Sequence, residues 1–362
     1  MILIVDSLKI SVKRRIFNIF SMKKNQIKLY MSNKIKIIFY NLIILFSFFV
    51  LMEIIFGYWF TKDNFGVHMR KERNKNWQMV SNINNKEYKF FYKRNFYGFR
   101  GEEFNPVDVK IIWEGGSTSA QRYTPEELTV IGRLNKKFES EGINIKIYNA
   151  ATDGKSLRGI IYDFDHWFTK IKNFNPEFVI LLLGINERDL AHDDSNQFDS
   201  GVQEKKLDRT KDYLKNNSFI YSKYKQIDNK YFPKHINGYF LDSKELYSNF
   251  KYVNYQKAKN LKRNITIEDK KILTQLENRL LLLKKRFKSN KIRPIIITQV
   301  EFDGLSDQKL FLVNEKLKEF SKENNWLTIK LDELLTMGPY EFYDHVHTAP
   351  EGSKKIADTI YP

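Results

Sequence analysis

The sequence predicts an α/β fold, a parallel β-sheet with helices on both faces, preceded by one N-terminal transmembrane helix. Three observations lead there. From residue 108 onward, short apolar runs suited to strands alternate with amphipathic helical stretches. One run, FVILLLG at 178–184, is almost wholly apolar, as expected only of a parallel strand covered on both faces. Residues 37–60, IIFYNLIILFSFFVLMEIIFGYWF, contain no Lys or Arg.

Taken in order, residues 1–36 form a basic segment, with nine Lys or Arg against one acid, Asp6. At about 1.5 Å per residue, the run 37–60 crosses a hydrocarbon core of roughly 30 Å with some tilt. Tyr58 and Trp59 close it where an aromatic belt lies. A buried core helix and a cleaved signal peptide are the alternatives. The run is long for either, and no A-x-A-like site follows it. Glu53, its one charge, is expected against a partner helix or at the interface. Residues 61–80 hold five Lys or Arg, fewer than the near side, so the N-terminus is expected inside and residues 61–362 outside the cytoplasm. Met31 opens an alternative start, MSNKIKIIFYN.

Residues 61–105 lack a clear period and read as a stem leading into the domain at 106–362. VKIIWE (109–114) is the first strand. Thr124, Pro125 and Glu127 predict the start of a helix carrying Leu128, Ile131, Leu134 and Phe138, ended by Gly142. A strand at 143–149 and a helix at 157–173 follow, and then FVILLLG. The stretch 196–264, rich in Lys, Tyr and Asn, is an insertion or lid. Thr266 and Asp269 cap a long helix with a stripe of Ile272, Leu273, Leu276, Leu280, Leu283 and Phe287. Strands at 294–299 and 326–331 flank a helix at 307–324, and Thr348, Pro350 and Glu351 predict a capping box for the terminal helix.

Composition narrows the chemistry. The 362 residues are 42% hydrophobic, with 29 Phe and 20 Tyr, enough for a packed core. The absence of cysteine excludes disulfides, thiolate nucleophiles and Cys-ligated zinc. The net charge of +18 falls to +11 after position 60. A basic surface favours anionic partners, but Lys and Asn abound along the whole chain, so compositional bias is the simpler reading. No nucleic-acid motif accompanies the charge, and no nucleic-acid partner is expected. The six His are scattered and give no metal-ligand spacing, so neither metal nor cofactor is expected.

Four polar segments fall at predicted strand ends or before the last helix: Glu114-Gly115-Gly116-Ser117-Thr118-Ser119, Asn149-Ala150-Ala151-Thr152-Asp153-Gly154, Gly184-Ile185-Asn186-Glu187 and Asp344-His345-Val346-His347. Sites in such sheets lie at the carboxyl ends of strands. Taken alone, each is a turn, a loop cap or the lead into a helix. Their joint order points to nucleophilic catalysis, since a serine hydroxyl needs a base such as His and an acid to orient that base.

Together these segments resemble the signature blocks of the SGNH hydrolases, or GDSL esterases, over about residues 108–195 and 292–362. The resemblance implies a flavodoxin-like SGNH fold and a catalytic triad of Ser117, His347 and Asp344. It also implies an oxyanion hole made by the N–H groups of Ser117 and Gly154 and the amide of Asn186. Such donors are worth on the order of 3 kcal/mol each. Two positions depart from the family pattern: Gly116 stands where an Asp is usual, and Glu187 where an Asp follows the Asn. An α/β-hydrolase fits less well, because Ser119 occupies the second Gly position of G-x-S-x-G and no sharp elbow leads into a helix.

Other residues receive smaller roles. Gln299, at a strand end, is a candidate substrate contact. Thr118 and Ser119 read as turn chemistry, His345 as a surface loop residue, and Asn95, Gly98, Arg100 and Gly101 as an element packed where the domain begins. Three functions remain open: an esterase acting on acyl esters, O-acetyl first, of a carbohydrate or lipid; an O-acyltransferase modifying cell-surface polysaccharide with the same triad; and a catalytically silent envelope scaffold. The sequence does not fix the oligomeric state.

Overall fold

A computed structural model of the chain describes residues 34–60, 65, 69, 72–188, 211, 213–215, 217–232, 234–236 and 250–362. Residues 1–33 of the basic segment, with both candidate starts, lie outside the described residues, as does much of the 196–264 insertion.

The chain divides into two compact units. The first contains helix α1 (Lys34–Phe56), with a mean hydropathy of 2.3 and exposed side chains, long and apolar enough to cross a membrane. It stops at Phe56, four residues short of the apolar run, and Gly57–Phe60 form bends. Glu53 is not left bare. Its carboxylate accepts from Ser218 Oγ, the N–H groups of Phe219 and Ile220, and Trp59 Nε1. Glu53 thereby caps the first turn of a helix over Phe219–Tyr231.

The second unit is the α/β body. Strands β1 (Lys75–Ile83) and β2 (Lys86–Arg94) form an antiparallel hairpin. The sequence predicts only an aperiodic stem there. The turn is the two-residue Asn84-Asn85, both at positive φ, the backbone of a type I′ turn. A short strand from the insertion, Lys234–Ile236, pairs in parallel with β1.

The main sheet uses β3 (Ile111–Gly115), β4 (Ile147–Asn149), β5 (Phe178–Leu182), β7 (Arg293–Ile297) and β8 (Leu327–Ile329), counting Lys234–Ile236 as β6. All five are parallel, in the order β4-β3-β5-β7-β8. Renumbered within the sheet this is the flavodoxin-like order 2-1-3-4-5, with its switch point between β3 and β5.

Alternation along the strands feeds two cores. Ile112, Val179, Leu181 and Ile296 pack with helices α3 (Leu157–Tyr162), α5 (Ile267–Asn290) and α6 (Gln308–Glu323), counting Phe219–Tyr231 as α4. Trp113, Ile180, Leu182 and Ile297 pack on the other face with α2 (Val130–Ser140) and α7 (Pro350–Ile360). Helices on both faces are therefore observed as the apolar runs require. The predicted stripe of α5 is buried at Ile272, Leu276, Leu280, Leu283 and Phe287, and its Thr266/Asp269 capping box forms.

Two predicted helix caps do not form, for identifiable reasons. Thr124 does not open a helix, because the Arg100 guanidinium takes the carbonyls of Ala120, Gln121 and Thr124. Helix α2 begins five residues later, capped by Thr129. Thr348 does not cap α7 either. Its hydroxyl is shared with Gln121 and Ser353, and the N-cap position is Ala349.

Candidate active site

Strand β3 delivers Ser117 to the carboxyl edge of the sheet, on a single helical turn, Ser117–Ala120. Strand β5 delivers Asn186 to the same edge, across the switch point. The loop Phe342–Thr348, closed by a bridge between its ends, brings His347 there from the far end of the chain.

These residues meet. Ser117 Oγ lies 2.7 Å from His347 Nε2, across 230 residues of sequence. His347 Nδ1 lies 2.7 Å from Asp344 Oδ2. The other oxygen, Asp344 Oδ1, accepts the N–H groups of Val346 at 2.8 Å and His347 at 2.6 Å. Burial acts to raise the Asp344 carboxyl. The hydrogen bond and charge of His347 and the two N–H groups outweigh it and hold the carboxyl below its ordinary value. An ionised carboxylate can only accept, so Nδ1 carries a proton, and in the neutral imidazole Nε2 is left to accept from the Ser117 hydroxyl. Tyr343 stacks on the imidazole, with ring centroids 5.5 Å apart and planes 7° from parallel. Burial, and then Asp344, hold the Tyr343 phenol far above its ordinary value, so it stays neutral.

The candidate oxyanion donors adjoin this row. Asn186 Nδ2 donates one hydrogen to the Lys155 carbonyl at 2.8 Å, which leaves its second hydrogen for a ligand. The amide lies against Gly116: a Cβ there would stand 1.9 Å from Asn186 Nδ2. This close approach leaves no room for a side chain at Gly116. Gly154 sits at φ +70°, exposed, on the loop after β4. Asp153 beside it pairs with Arg122 at 2.8 Å, and the Arg122 guanidinium lies over Trp77 and Tyr92 of the hairpin. The hairpin reaches the His347 loop as well, since Ile83 and Tyr88 pack with Tyr343 and Ala349.

Glu187 ties its own segment to the start of α3, accepting from Gly184 N and Leu157 N. Gln299, the candidate substrate contact, is buried with both ends of its amide engaged. Its Oε1 accepts from Ile185 N and its Nε2 donates to Thr118 Oγ1, so it ties the Asn186 segment to the Ser117 segment. Ser119 is buried and accepts from Trp113 Nε1. The backbone carbonyl of His345 accepts from Phe302 N.

Sequence reasoning missed the charged group beneath the site. Lys155, next to Gly154, is buried with Glu114 and Asp163, and its Nζ lies 2.8 Å and 2.5 Å from their carboxylates. The available signal was a lone acid ending an apolar strand, since a fully buried Glu requires a partner. Burial, opposed by Lys155 and reinforced by Asp163, pushes Glu114 up to about 8.

No protein-family model matches the sequence, and no curated protein matches it. The chain is similar to several solved structures. One is a lipolytic protein of the G-D-S-L family from Veillonella parvula, 15% identical, covering 69% of this chain and 95% of that one, with a TM-score of 0.38. A psychrotrophic esterase from a Pseudoalteromonas species is 14% identical, with coverage of 70% and 94% and a TM-score of 0.37. A mutant acetyl-xylooligosaccharide esterase from Geobacillus is 13% identical, with coverage of 70% and 92% and a TM-score of 0.39. All three are distant, and the chemistry of this chain is read from its own geometry.

The buried acid makes a stability prediction. Between its ordinary value of 4.5 and about 8, Glu114 holds a proton in the folded state that the unfolded state has released. The folded state binds more protons, so stability falls as pH rises through that window. Melting temperatures of wild type and Glu114→Gln are measured from pH 4 to pH 9. The variant's advantage should grow from about pH 4.5 to about pH 8 and then level off. A difference that stays flat across the window contradicts the assignment.

Proposed function

We propose that this chain is a serine esterase of the SGNH hydrolase type. It removes acyl groups, O-acetyl first among the candidates, from a carbohydrate or lipid. The observation that carries the reading is the unbroken row from Ser117 Oγ through His347 to Asp344, with both links at 2.7 Å. That row stands at the carboxyl edge of the sheet, beside the switch point where ligands bind in such folds.

In this reading the ester carbonyl is attacked by Ser117 Oγ while His347 Nε2 takes the hydroxyl proton. Asp344 stabilises the imidazolium and holds its tautomer. The oxyanion is met by the N–H groups of Ser117 and Gly154 and the amide of Asn186. The alcohol leaves with the proton from His347, and the acyl group stays on Ser117. Water, deprotonated by His347, then releases the acid and restores the serine. A sugar hydroxyl in place of water turns the second half into acyl transfer with the same groups.

The test uses the full-length chain in detergent with an acetyl ester, with and without soluble glycan acceptors. Wild type should turn over. Ser117→Ala should lose at least about 10⁴-fold in kcat while keeping its near-ultraviolet circular dichroism. Free acetate in the presence of glycan supports hydrolysis, and acetylated glycan makes the chain a transferase. A folded Ser117→Ala protein with turnover near wild type overturns the nucleophile.

The site also has a location in this reading. Helix α1 serves as a single membrane span with its N-terminus inside, which leaves the catalytic body outside the cytoplasm, where surface glycans and lipids are. Alkaline phosphatase fused at the C-terminus should then be active, and green fluorescent protein fused there dark. The reverse pattern places the body in the cytoplasm.

A further inference from the structure

Burying an ammonium and two carboxyls together adds little to stability, because desolvation offsets most of the attraction. The Lys155 cluster is buried in full: Glu114 is 0% exposed, Lys155 2% and Asp163 0%. Its position suggests a different use. Glu114 lies in β3, one residue from its end and three before Ser117. Lys155 follows Gly154 directly. Asp163 opens a π-helical turn, Asp163–Trp167, which interrupts the helix begun by α3. Such turns are frequent at functional sites. Lys155 Nζ joins all of these, adding a hydrogen bond to the Ala150 carbonyl at 2.9 Å, just past the end of β4. One side chain therefore fastens the loop carrying Gly154 to the strand that leads to Ser117 and to the helix behind both.

The main chain of the same residue does a second task. The Lys155 carbonyl accepts the Asn186 amide at 2.8 Å and sets where that amide's other hydrogen points. Gly116 packs against this pair, since a Cβ there would meet Asn186 Nδ2 at 1.9 Å and the Lys155 carbonyl at 3.0 Å. A shift of the Lys155 backbone thus moves two of the three oxyanion donors at once. Donor geometry matters on the scale of tenths of an ångström in such sites.

We propose that Lys155 is the positioning residue of the oxyanion site, its side chain held between Glu114 and Asp163 so that Gly154 and the Asn186 amide stay aligned on the carbonyl under attack. This rests on the role given to Gly154 and Asn186 in the proposed function. Lys155 touches no reacting atom. Its ammonium works from below, through the backbone it immobilises.

A double-mutant cycle on the full-length chain tests it, with kcat and KM for an acetyl ester measured for wild type, Ser117→Ala, Asn186→Ala, Lys155→Met and Asn186→Ala/Lys155→Met. Asn186→Ala should lower kcat by about 10²- to 10³-fold, as loss of one oxyanion donor does. Lys155→Met should lower kcat at least about tenfold while KM moves less than about threefold, the pattern of an interaction made in the transition state. The combined variant should fall well short of the product of the two losses, because a misaligned amide has little left to lose. A merely structural lysine would reduce the folded fraction and leave the cost of Asn186→Ala unchanged. Additive losses, or a Lys155→Met protein with the kcat of wild type, overturn the proposal. If Lys155→Met does not fold, Asp163→Asn/Lys155→Met takes its place in the same cycle, because it also removes the buried Asp163 carboxylate that Lys155 no longer compensates. The Ser117→Ala arm separates the two readings. If that variant remains active, the proposed function itself fails. If it is dead and the cycle is additive, only the role of Lys155 fails.

Discussion

Parallel strands deliver all of their carboxyl ends to one edge of a sheet, and the whole site depends on that constraint. Ser117, Gly154 and Asn186 follow β3, β4 and β5, and Gln299 follows β7, so four connections open side by side. A sheet of this kind must be covered on both faces, which is why β5 is apolar at Val179, Ile180, Leu181 and Leu182 alike. With its strands locked between two cores, the sheet fixes where each connection begins to within the spacing of neighbouring strands. The remaining precision comes from side chains that tie one connection to the next.

Those ties are nearly all buried amides, hydroxyls and carboxyls. Gln299 joins the Ser117 and Asn186 segments, Glu187 joins the Asn186 segment to the start of α3, and Gln121 joins the turn after Ser117 to Thr348 and Ser353. Such groups are costly to bury unpaired, and here each finds a partner on another segment. The hairpin adds a brace from outside, packing Ile83 and Tyr88 against Tyr343, whose ring supports His347. The site is therefore a polar network laid over an apolar sheet, with Lys155 buried beneath it between Glu114 and Asp163.

Much of this was legible in the sequence, and the reasons are local. Strands β3 and β5 announce themselves as apolar runs, α5 by its stripe and its Thr266/Asp269 box, and the polar segments by standing just past strand ends. What was not legible depends on partners distant in sequence. Arg100 takes the Thr124 carbonyl, the first that a helix opening there would use, and Gln121 takes the hydroxyl of Thr348, so two sound local capping signals are overruled by tertiary hydrogen bonds. Lys155 and Asp163 find Glu114 only in the folded chain. The hairpin is a different case. Its Asn84-Asn85 turn is a readable signal, hidden by strands whose alternation is irregular.

The central claim is that Ser117 is an activated nucleophile because His347 and Asp344 stand behind it. Fluorophosphonate labelling of the full-length chain, followed by peptide mass spectrometry, addresses it most directly, since the reagent reports nucleophilicity without requiring the natural substrate. The account predicts one adduct, on Ser117, that is lost in a folded His347→Ala protein. An adduct on Ser119 or Ser156 instead, or labelling of Ser117 that persists unchanged without His347, would contradict it.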